Sequence, residues 1–382
     1  MKRRLVLITE IIAPYRIPVF NALARRPEVD STVLFLTETD PSLREWLVYK
    51  EEIRFPYLVL PSWRRRVGTF NLLLNRGLSA ALDRSRPEMV ICGGYNYIAS
   101  WEALWWSKSH RVPFVLWSES NARDIRSEHS VIEFLKKQFL AACDGFVVPG
   151  KSSEEYLRLL GGGSRPIGIA PNAVDIDFFA DAARKARAQS SEVRRKRGLP
   201  ERYFLYVGRL VPQKGVFELI EAYAKLDANL RQSVSLVFAG DGAARDKLLK
   251  FAAALAPGQV QLVGFTQRED LPELYALADA VILPTHSDTW GLVVNEAMAC
   301  GAPVIVASAA GCVEDLVRDG GNGYVVPPKD VASLGKAMSS LAGDEELRKR
   351  MSKLSFEMIQ AYSPDAWAEG IGKLFSLVLP RR

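Results

Sequence analysis

Twelve short apolar runs, each bounded by glycine, proline or polar residues, recur along the chain. In the first half they are Leu5–Thr9, Thr32–Leu36, Met89–Cys92, Val112–Trp117, Phe146–Val148 and Ile167–Ala170. In the second they are Tyr203–Val207, Val234–Ala239, Val260–Val263, Ala280–Leu283, Pro303–Val306 and Tyr324–Val326. Such runs are too short for helices, and most are apolar at consecutive positions, as strands buried on both faces are. Helix-like stretches separate them: Val19–Arg26, Leu72–Asp83, Ile98–Ser107, Ile132–Ala142 and Phe217–Leu226. A strand–helix–strand rhythm predicts an α/β chain with parallel sheets covered by helices.

The chain has 382 residues, room for two such sheets. From Asp181 to Pro200 the composition shifts to Ala, Ser, Lys and Arg, which places the interdomain connection around Pro171–Pro200. The expected domains are 1–175 and 176–363. A helical pattern over 364–380, carried by Trp367, Ile371, Leu374, Phe375 and Val378, is expected to pack back on the first.

Composition narrows the classes. Cys92, Cys143, Cys300 and Cys312 are scattered, so no disulfide framework is visible and a reducing compartment fits. The three histidines form no HExxH motif, so a zinc enzyme is not expected. Met1-Lys-Arg-Arg4 before Leu5–Ile8 resembles a signal peptide, but the apolar run is too short and reads as a first buried strand. No apolar run reaches membrane-spanning length. Residues 1–200 hold 31 Lys and Arg against 22 Asp and Glu, while the whole chain carries only +6. A basic first half points to an acidic partner such as an anionic membrane face. No nucleic-acid motif accompanies those charges.

Ligands on doubly wound sheets bind beyond the carboxyl ends of the strands. In the first half that rule selects the loops Glu10–Arg16, Gly93–Tyr97, Ser118–Arg123 and Gly150–Ser153. Arg16 can approach a phosphate or an acceptor, Gly94 permits close backbone approach, and Glu119 can contact a sugar hydroxyl or act as a base. Each is also readable as an ordinary loop residue. Gly145-Phe-Val-Val-Pro-Gly150-Lys151-Ser152 has Walker A spacing. Its Phe146–Val148 is itself a strand candidate, where a true P-loop is open, so an ATPase is rejected. Trp63-Arg64-Arg65-Arg66 reads as a solvated basic loop or a membrane-facing segment, and Trp101, Trp105 and Trp106 as core or interface residues.

In the second half, Gly208-Arg209 and Lys214-Gly215 follow the strand Tyr203–Val207 and precede a helix. Arg209 can fork onto phosphate oxygens and Lys214 adds a point charge. Gly240-Asp241-Gly242 is another turn at a strand end. Pro284 to Gly301, PTHSDTWGLVVNEAMACG, follows a strand and offers Ser287, Asp288 and Thr289 as N-caps of a buried helix. Free N–H groups near Trp290, Gly291 and Leu292 there suit a phosphate. Asp288 and Glu296 are eight residues apart, ~12 Å if all eight were helical, a span for two parts of one elongated ligand.

With GRLVPQKG, AGDG, VGF, ADAVILPT and SDTWGLVVNEAMACGAPVI assembled, the chain resembles the family 4 retaining glycosyltransferases (glycosyl transferases group 1). The match covers Tyr203 to about Val326. The first half matches more loosely, through the Pro171-Asn172-Ala-Val-Asp175 turn. The resemblance implies the GT-B fold: two Rossmann-like parallel-sheet domains facing across a cleft. It implies a nucleotide-sugar donor held by the second domain and an acceptor on the first. Arg209 and Lys214 match the pair expected on the diphosphate, Glu296 the acid on the ribose, and Asp288 the acid near the transferred sugar. Thr289, Trp290, Gly291, Leu292, Gly240 and Asp241 complete the donor candidates. Arg16, Gly94, Glu119 and Asn172 are the acceptor-side candidates.

The sequence departs from the family pattern at several points. Asp288 stands where glutamate is usual, the opening loop lacks a Gly-Gly pair, and Cys312 follows Gly311 where a second glycine is common. Ser118-Glu119-Ser120 stands where the family often has a histidine.

The expected function is retaining, metal-independent transfer of a sugar to a glycan, lipid-linked or small-molecule acceptor, in cell-surface polysaccharide or glycoconjugate synthesis. No cofactor is expected beyond the nucleotide-sugar co-substrate. The expected location is cytoplasmic, peripheral on the inner membrane face. Two alternatives stand beside it: a nucleotide-sugar epimerase on the same scaffold, and a non-catalytic nucleotide-sugar-binding subunit.

Overall fold

The computed structural model describes residues 2–40, 47–67, 70–122 and 130–379. The chain divides into two compact units: Met1–Ala173 with Ser363–Arg382, and Val174–Tyr362.

Unit 1 contains β1 (Arg3–Thr9), β2 (Val29–Phe35), β3 (Tyr57–Val59), the hairpin β4 (Ser62–Val67) and β5 (Phe70–Asn75), then β6 (Met89–Gly93), β7 (Phe114–Trp117), β8 (Gly145–Val148) and β9 (Ile167–Ile169). The main sheet runs in the order β3-β2-β1-β6-β7-β8-β9, all parallel. Successive side chains on a strand point to opposite faces. Leu5 and Leu7 accordingly meet Phe20, Val33 and Trp367 in one core layer. Val6 and Ile8 meet Leu34, Leu82 and Phe139 in the other. Both faces are dry, which is why these strands read as unbroken apolar runs. The helix Pro364–Val378 belongs to this unit: Trp367, Ile371 and Leu374 are fully buried where it packs on the helix Ile17–Arg25 and on β8 and β9.

Unit 2 contains β10 (Tyr203–Val207), β11 (Ser235–Ala239), β12 (Val260–Gly264), β13 (Ala280–Leu283), β14 (Val304–Ala307) and β15 (Gly323–Val326). They form a parallel sheet in the order β12-β11-β10-β13-β14-β15. Tyr203 and Leu205 enter one layer and Phe204 and Tyr206 the other. All four cysteines are buried and free.

Several expectations need correction. The stretch Leu72–Asp83 is not one helix: Leu72–Asn75 belongs to β5, and the helix starts at Leu78, after Gly77 in the left-handed region. Three consecutive leucines fit either element, and pairing with β4 decides for the strand. Trp63–Arg66 is strand β4 rather than a loop. The short edge strand β3 lies in the apolar run Tyr57–Leu60, between Pro56 and Pro61, which was not among the predicted strands. The region proposed as a connection is two helices of unit 2, Ile176–Ala188 and Ser190–Arg197. Phe179 and Ala183 enter the unit 2 core, while Arg197 pairs with Glu273 at 2.6 Å and with Asp270. Trp106 is buried, but Trp105 projects away from the core. Gly145–Val148 is a strand, so the Walker-like stretch is no open phosphate loop. Arg123 and Pro380, at the ends of two predicted segments, lie outside the described residues.

Removing the Trp367 ring leaves a cavity between the C-terminal helix and the sheet. Trp367→Ala should cost about 3–5 kcal/mol, read as a lower urea midpoint for unit 1. Leu377→Ala on the exposed face of the same helix should change stability by less than about 0.5 kcal/mol. Equal midpoints for the two variants would show that the helix is not part of the core.

Candidate functional site

In unit 2 the strand order reverses between β10 and β13. The helix after β10, Val216–Ala224, enters one core layer through Leu219 and Ile220. The helix after β13, Leu292–Ala299, enters the other through Val294 and Ala297. Their loops therefore part at the carboxyl edge and leave a crevice between them, the place where doubly wound sheets bind ligands.

An ion pair bridges the crevice, beside a contact of 3.0 Å between His286 Nε2 and Glu218 Oε1. Lys214 Nζ lies 2.5 Å from Asp288 Oδ2, both half-buried. Backbone bonds fix both loops. His286 N donates to the Gln213 carbonyl at 2.9 Å, and the Thr285 hydroxyl donates to the Ser287 carbonyl at 2.8 Å. Asp288 N donates to Ala309 O at 3.4 Å and its own carbonyl accepts from Gly311 N at 3.1 Å, tying the loop to the end of β14. This tie also corrects the predicted cap. The helix starts at Leu292 with Gly291 as its N-cap, at φ 99°, and no side chain caps it. Ser287, Asp288 and Thr289 are held in the preceding loop instead. Asp288 Oδ1 accepts from Trp290 N at 3.4 Å. Trp290 is buried, its indole N–H given to Asn295 at 2.8 Å. Leu292 and Val293 open the helix, and in a first turn such N–H groups have no intrahelical acceptor.

Arg209 is exposed and follows β10 after Gly208. The Tyr206 hydroxyl donates to its carbonyl at 2.8 Å. Burial pushes the Tyr206 phenol well up, Asp288 adds to the rise and Arg209 opposes it. Both charges thus act on one phenol, and Arg209, Lys214 and Asp288 share one edge of the sheet. Gly240 and Asp241 stand beside them at the end of β11. A Cβ on Gly240 would lie 1.9 Å from the Gly208 carbonyl, so the two turns can touch only because it is glycine. Asp241 is exposed, and one carboxylate oxygen accepts from Gly242 N.

Glu296 lies four residues beyond the helix start, ~6 Å along the axis rather than the ~12 Å of a wholly helical Asp288–Glu296 span. Its carboxylate accepts from the Tyr275 hydroxyl at 2.6 Å. Burial pushes its pKa up to about 7, against the pull of Tyr275 and Arg268. The Arg268 guanidinium lies 5.1 Å from the Phe178 ring. Tyr275, Arg268 and Phe178 had not been singled out in the sequence. Tyr275 sits among apolar residues of a helix and looks like core, and its pairing with a residue 21 positions away leaves no local pattern.

Unit 1 holds a second charged cluster at the carboxyl edge of its own reversal, between β1 and β6. Arg16 donates to Thr9 Oγ1 at 2.6 Å and to Glu119 at 3.3 Å, with its guanidinium 4.4 Å from the Trp117 ring. Burial alone would lower the Arg16 pKa, but Tyr15, Glu119 and Glu10 outweigh it and keep the charge. Gly94 lies at the end of β6 with open space beside its Cα. Asn172 is buried in the turn after β9. Arg64 corrects the basic-segment reading: it turns inward to Glu10, at 3.2 Å, and to the buried Asp40. A hollow lined by Arg4, Asp83, Arg84 and Arg86 lies at the opposite, amino-terminal edge of this sheet. Among the described residues, no three His, Cys, Asp or Glu side chains gather as a metal site requires.

Two doubly wound parallel sheets in one chain, each with charged loops at its carboxyl-edge reversal, define a GT-B fold. Comparison with solved structures agrees: Anabaena HepE, crystallised with UDP and glucose, superposes with a TM-score of 0.75 at 18% identity, covering 98% of this chain and 99% of that one. The family model for glycosyl transferases group 1 matches residues 189–358, and that for glycosyltransferase family 4 matches residues 20–178. The chain belongs to the family 4 glycosyltransferases.

Among curated relatives, an alpha-D-kanosaminyltransferase of Streptomyces kanamyceticus is 37% identical over 46% of this chain and 45% of its own length. A D-inositol 3-phosphate glycosyltransferase of Salinispora arenicola is 32% identical over 54% of this chain and 48% of its own. The chain thus spans about half the length of these relatives.

The raised Glu296 pKa has a consequence for stability. Between about pH 4.5 and 7 the folded protein holds a proton that the unfolded chain has released. The resulting stabilisation is complete below that window and is lost as pH rises through it, on the order of 3 kcal/mol. Glu296→Gln should flatten this part of the profile, measured as unfolding midpoint against pH. An unchanged slope would show that Glu296 is not the titrating group.

Proposed function

We propose that this chain is a retaining glycosyltransferase that moves a sugar from a nucleoside-diphosphate sugar to a hydroxyl acceptor without a metal. Unit 2 takes the donor and unit 1 the acceptor. The observation that carries the reading is the Lys214–Asp288 pair across the β10/β13 crevice, with Arg209 exposed beside it. A diphosphate entering there draws the Lys214 ammonium away from Asp288. The freed Asp288 carboxylate then accepts a hydrogen bond from a sugar hydroxyl. Arg209 forks onto the phosphate oxygens, and the first N–H groups of the Leu292–Ala299 helix add their dipole. Glu296 accepts from the ribose hydroxyls. Thr289, Trp290 and Gly291 shape the loop, with Gly240 and Asp241 at its flank.

The bond between the anomeric carbon and the phosphate oxygen breaks, and its electron pair leaves with the diphosphate. Charge builds on that oxygen in the transition state, where Arg209 and Lys214 act most strongly. The acceptor oxygen forms the new bond on the same face of the sugar, and its proton passes to the departing phosphate oxygen. No separate base is required. On the acceptor side, Arg16, Gly94, Glu119 and Asn172 are the proposed contacts.

HepE has been crystallised with UDP and with UDP-glucose, which makes UDP-sugars the first donors to try. The proposed setting is the cytoplasmic face of a membrane, in polysaccharide or glycoconjugate synthesis. Among the described residues, no helix is long and apolar enough to cross a membrane.

Purified protein incubated with nucleotide sugars and candidate acceptors tests the reading. Arg209→Ala and Lys214→Ala should each lower kcat by about 10²–10³-fold, the usual cost of losing one transition-state donor. Glu296→Gln should act mainly on the donor KM. Unchanged turnover in both cation variants would refute the assigned roles.

A further inference from the structure

Unit 1 carries an apolar face that its own core does not use. The helix Ile98–His110 buries Ala99, Ala103 and Trp106 and turns Ile98, Trp101 and Trp105 outward, with Trp105 75% exposed. Their spacing of three and four residues puts them on one stripe. The neighbouring helix Ser130–Ala142 meets this stripe through Phe139, whose ring packs edge-on against Trp101 at 4.9 Å. One turn earlier on that helix, Phe134 and Leu135 are exposed at 60% and 47%. The Ile98–His110 helix also packs against β5, and Trp63 on the paired strand β4 is half exposed. Two of the chain's 8 tryptophans, Trp101 and Trp105, therefore meet solvent on this one helix. Single exposed apolar side chains need no explanation, but a contiguous aromatic group does.

The charges around the group select the partner. Arg65 is exposed next to Trp63, Lys137 next to Phe134 and Leu135, and Arg111 at the end of the tryptophan helix. Among the described residues, the acids on and just after these two helices are occupied. Glu102 accepts from Ser79 at 2.7 Å, Glu133 lies 3.6 Å from Lys136, and Asp144 lies 2.8 Å from Lys108. Exposed tryptophans among unpaired basic side chains match the boundary between water and an anionic bilayer, where the ring is half wet and the cation meets a headgroup.

We propose that this face seats unit 1 on an anionic lipid surface. Both helices begin at the carboxyl edge of the sheet, the edge that holds Arg16, Gly94 and Glu119. A lipid-linked acceptor would thus present its headgroup to those residues. That choice of acceptor rests on the sugar-transfer reading; the docking does not.

The test is co-sedimentation with phosphatidylcholine vesicles, with and without phosphatidylglycerol, at low and raised salt. The intact protein should bind the anionic vesicles preferentially, release as salt screens the charges, and shift its tryptophan emission to the blue. The double variant Trp105→Ser, Phe134→Ser should bind at least tenfold more weakly. Its melting temperature should be unchanged, since both side chains are exposed. No binding at low salt, or equal binding by the variant, overturns the proposal. So does a dimer in sedimentation velocity that the variant abolishes without any vesicle binding, which would assign the face to a second copy of the chain. UDP binding, followed separately, should be equal in both proteins. Absence of binding by any nucleoside diphosphate in both would undo the transfer reading and leave the docking result standing.

Discussion

Lys214 and Asp288 come from loops that leave their sheet toward opposite faces, and the 2.5 Å contact between them spans the gap. Both side chains are half-buried, so each gives up hydration that the opposite charge helps to offset. Deleting one partner of such a pair costs more than the pair itself contributes, because the other is left uncompensated. The contact also depends on backbone: His286 N on the Gln213 carbonyl and Gly311 N on the Asp288 carbonyl fix the distance between the loops. The strand order sets where the loops part, and these bonds set how far.

The same arrangement occurs in unit 1 with other residues. Arg16 follows β1 and Glu119 follows β7, and the two meet at 3.3 Å beside Trp117. In each unit a cation after the first strand is neutralised by an acid from a loop beyond the strand reversal. Sequence similarity between the halves is absent, yet the physical problem is common to both. A carboxyl-edge crevice collects backbone dipoles and loop charges in partly dry surroundings, and compensating charges offset one another there.

The strands were legible because burial on both faces leaves a signature in consecutive residues: Tyr203–Val207 and Ala280–Leu283 match their predicted bounds. What failed depended on contacts distant in sequence. Leu72–Asn75 became strand only through its pairing with Ser62–Val67, and Arg64 turned inward because Asp40 and Glu10 were there to receive it. In the site, Arg209, Lys214 and Asp288 could be proposed from their positions at strand ends. That Lys214 and Asp288 hold each other, and that Tyr275 holds Glu296, could not. The cap at Gly291 was missed because Ser-Asp-Thr is a strong local cap signal, here overridden by the tie between Asp288 and the end of β14.

On the transfer reading, the paired ground state favours catalysis. A diphosphate must compete with Asp288 for the Lys214 ammonium, which weakens binding of the intact donor. As the anomeric bond lengthens, negative charge grows on the departing oxygen and the competition shifts toward the phosphate. The Lys214 interaction is then worth more in the transition state than in the bound donor, and only that difference accelerates the reaction. Arg209 has no such competitor at its exposed position, so it serves capture as well as departure. The two cations should therefore differ in kind: loss of Arg209 raises KM and lowers kcat together, whereas loss of Lys214 falls mainly on kcat. Glu296 belongs to the binding side of the division, which its half-buried carboxylate, held by the Tyr275 hydroxyl, fits.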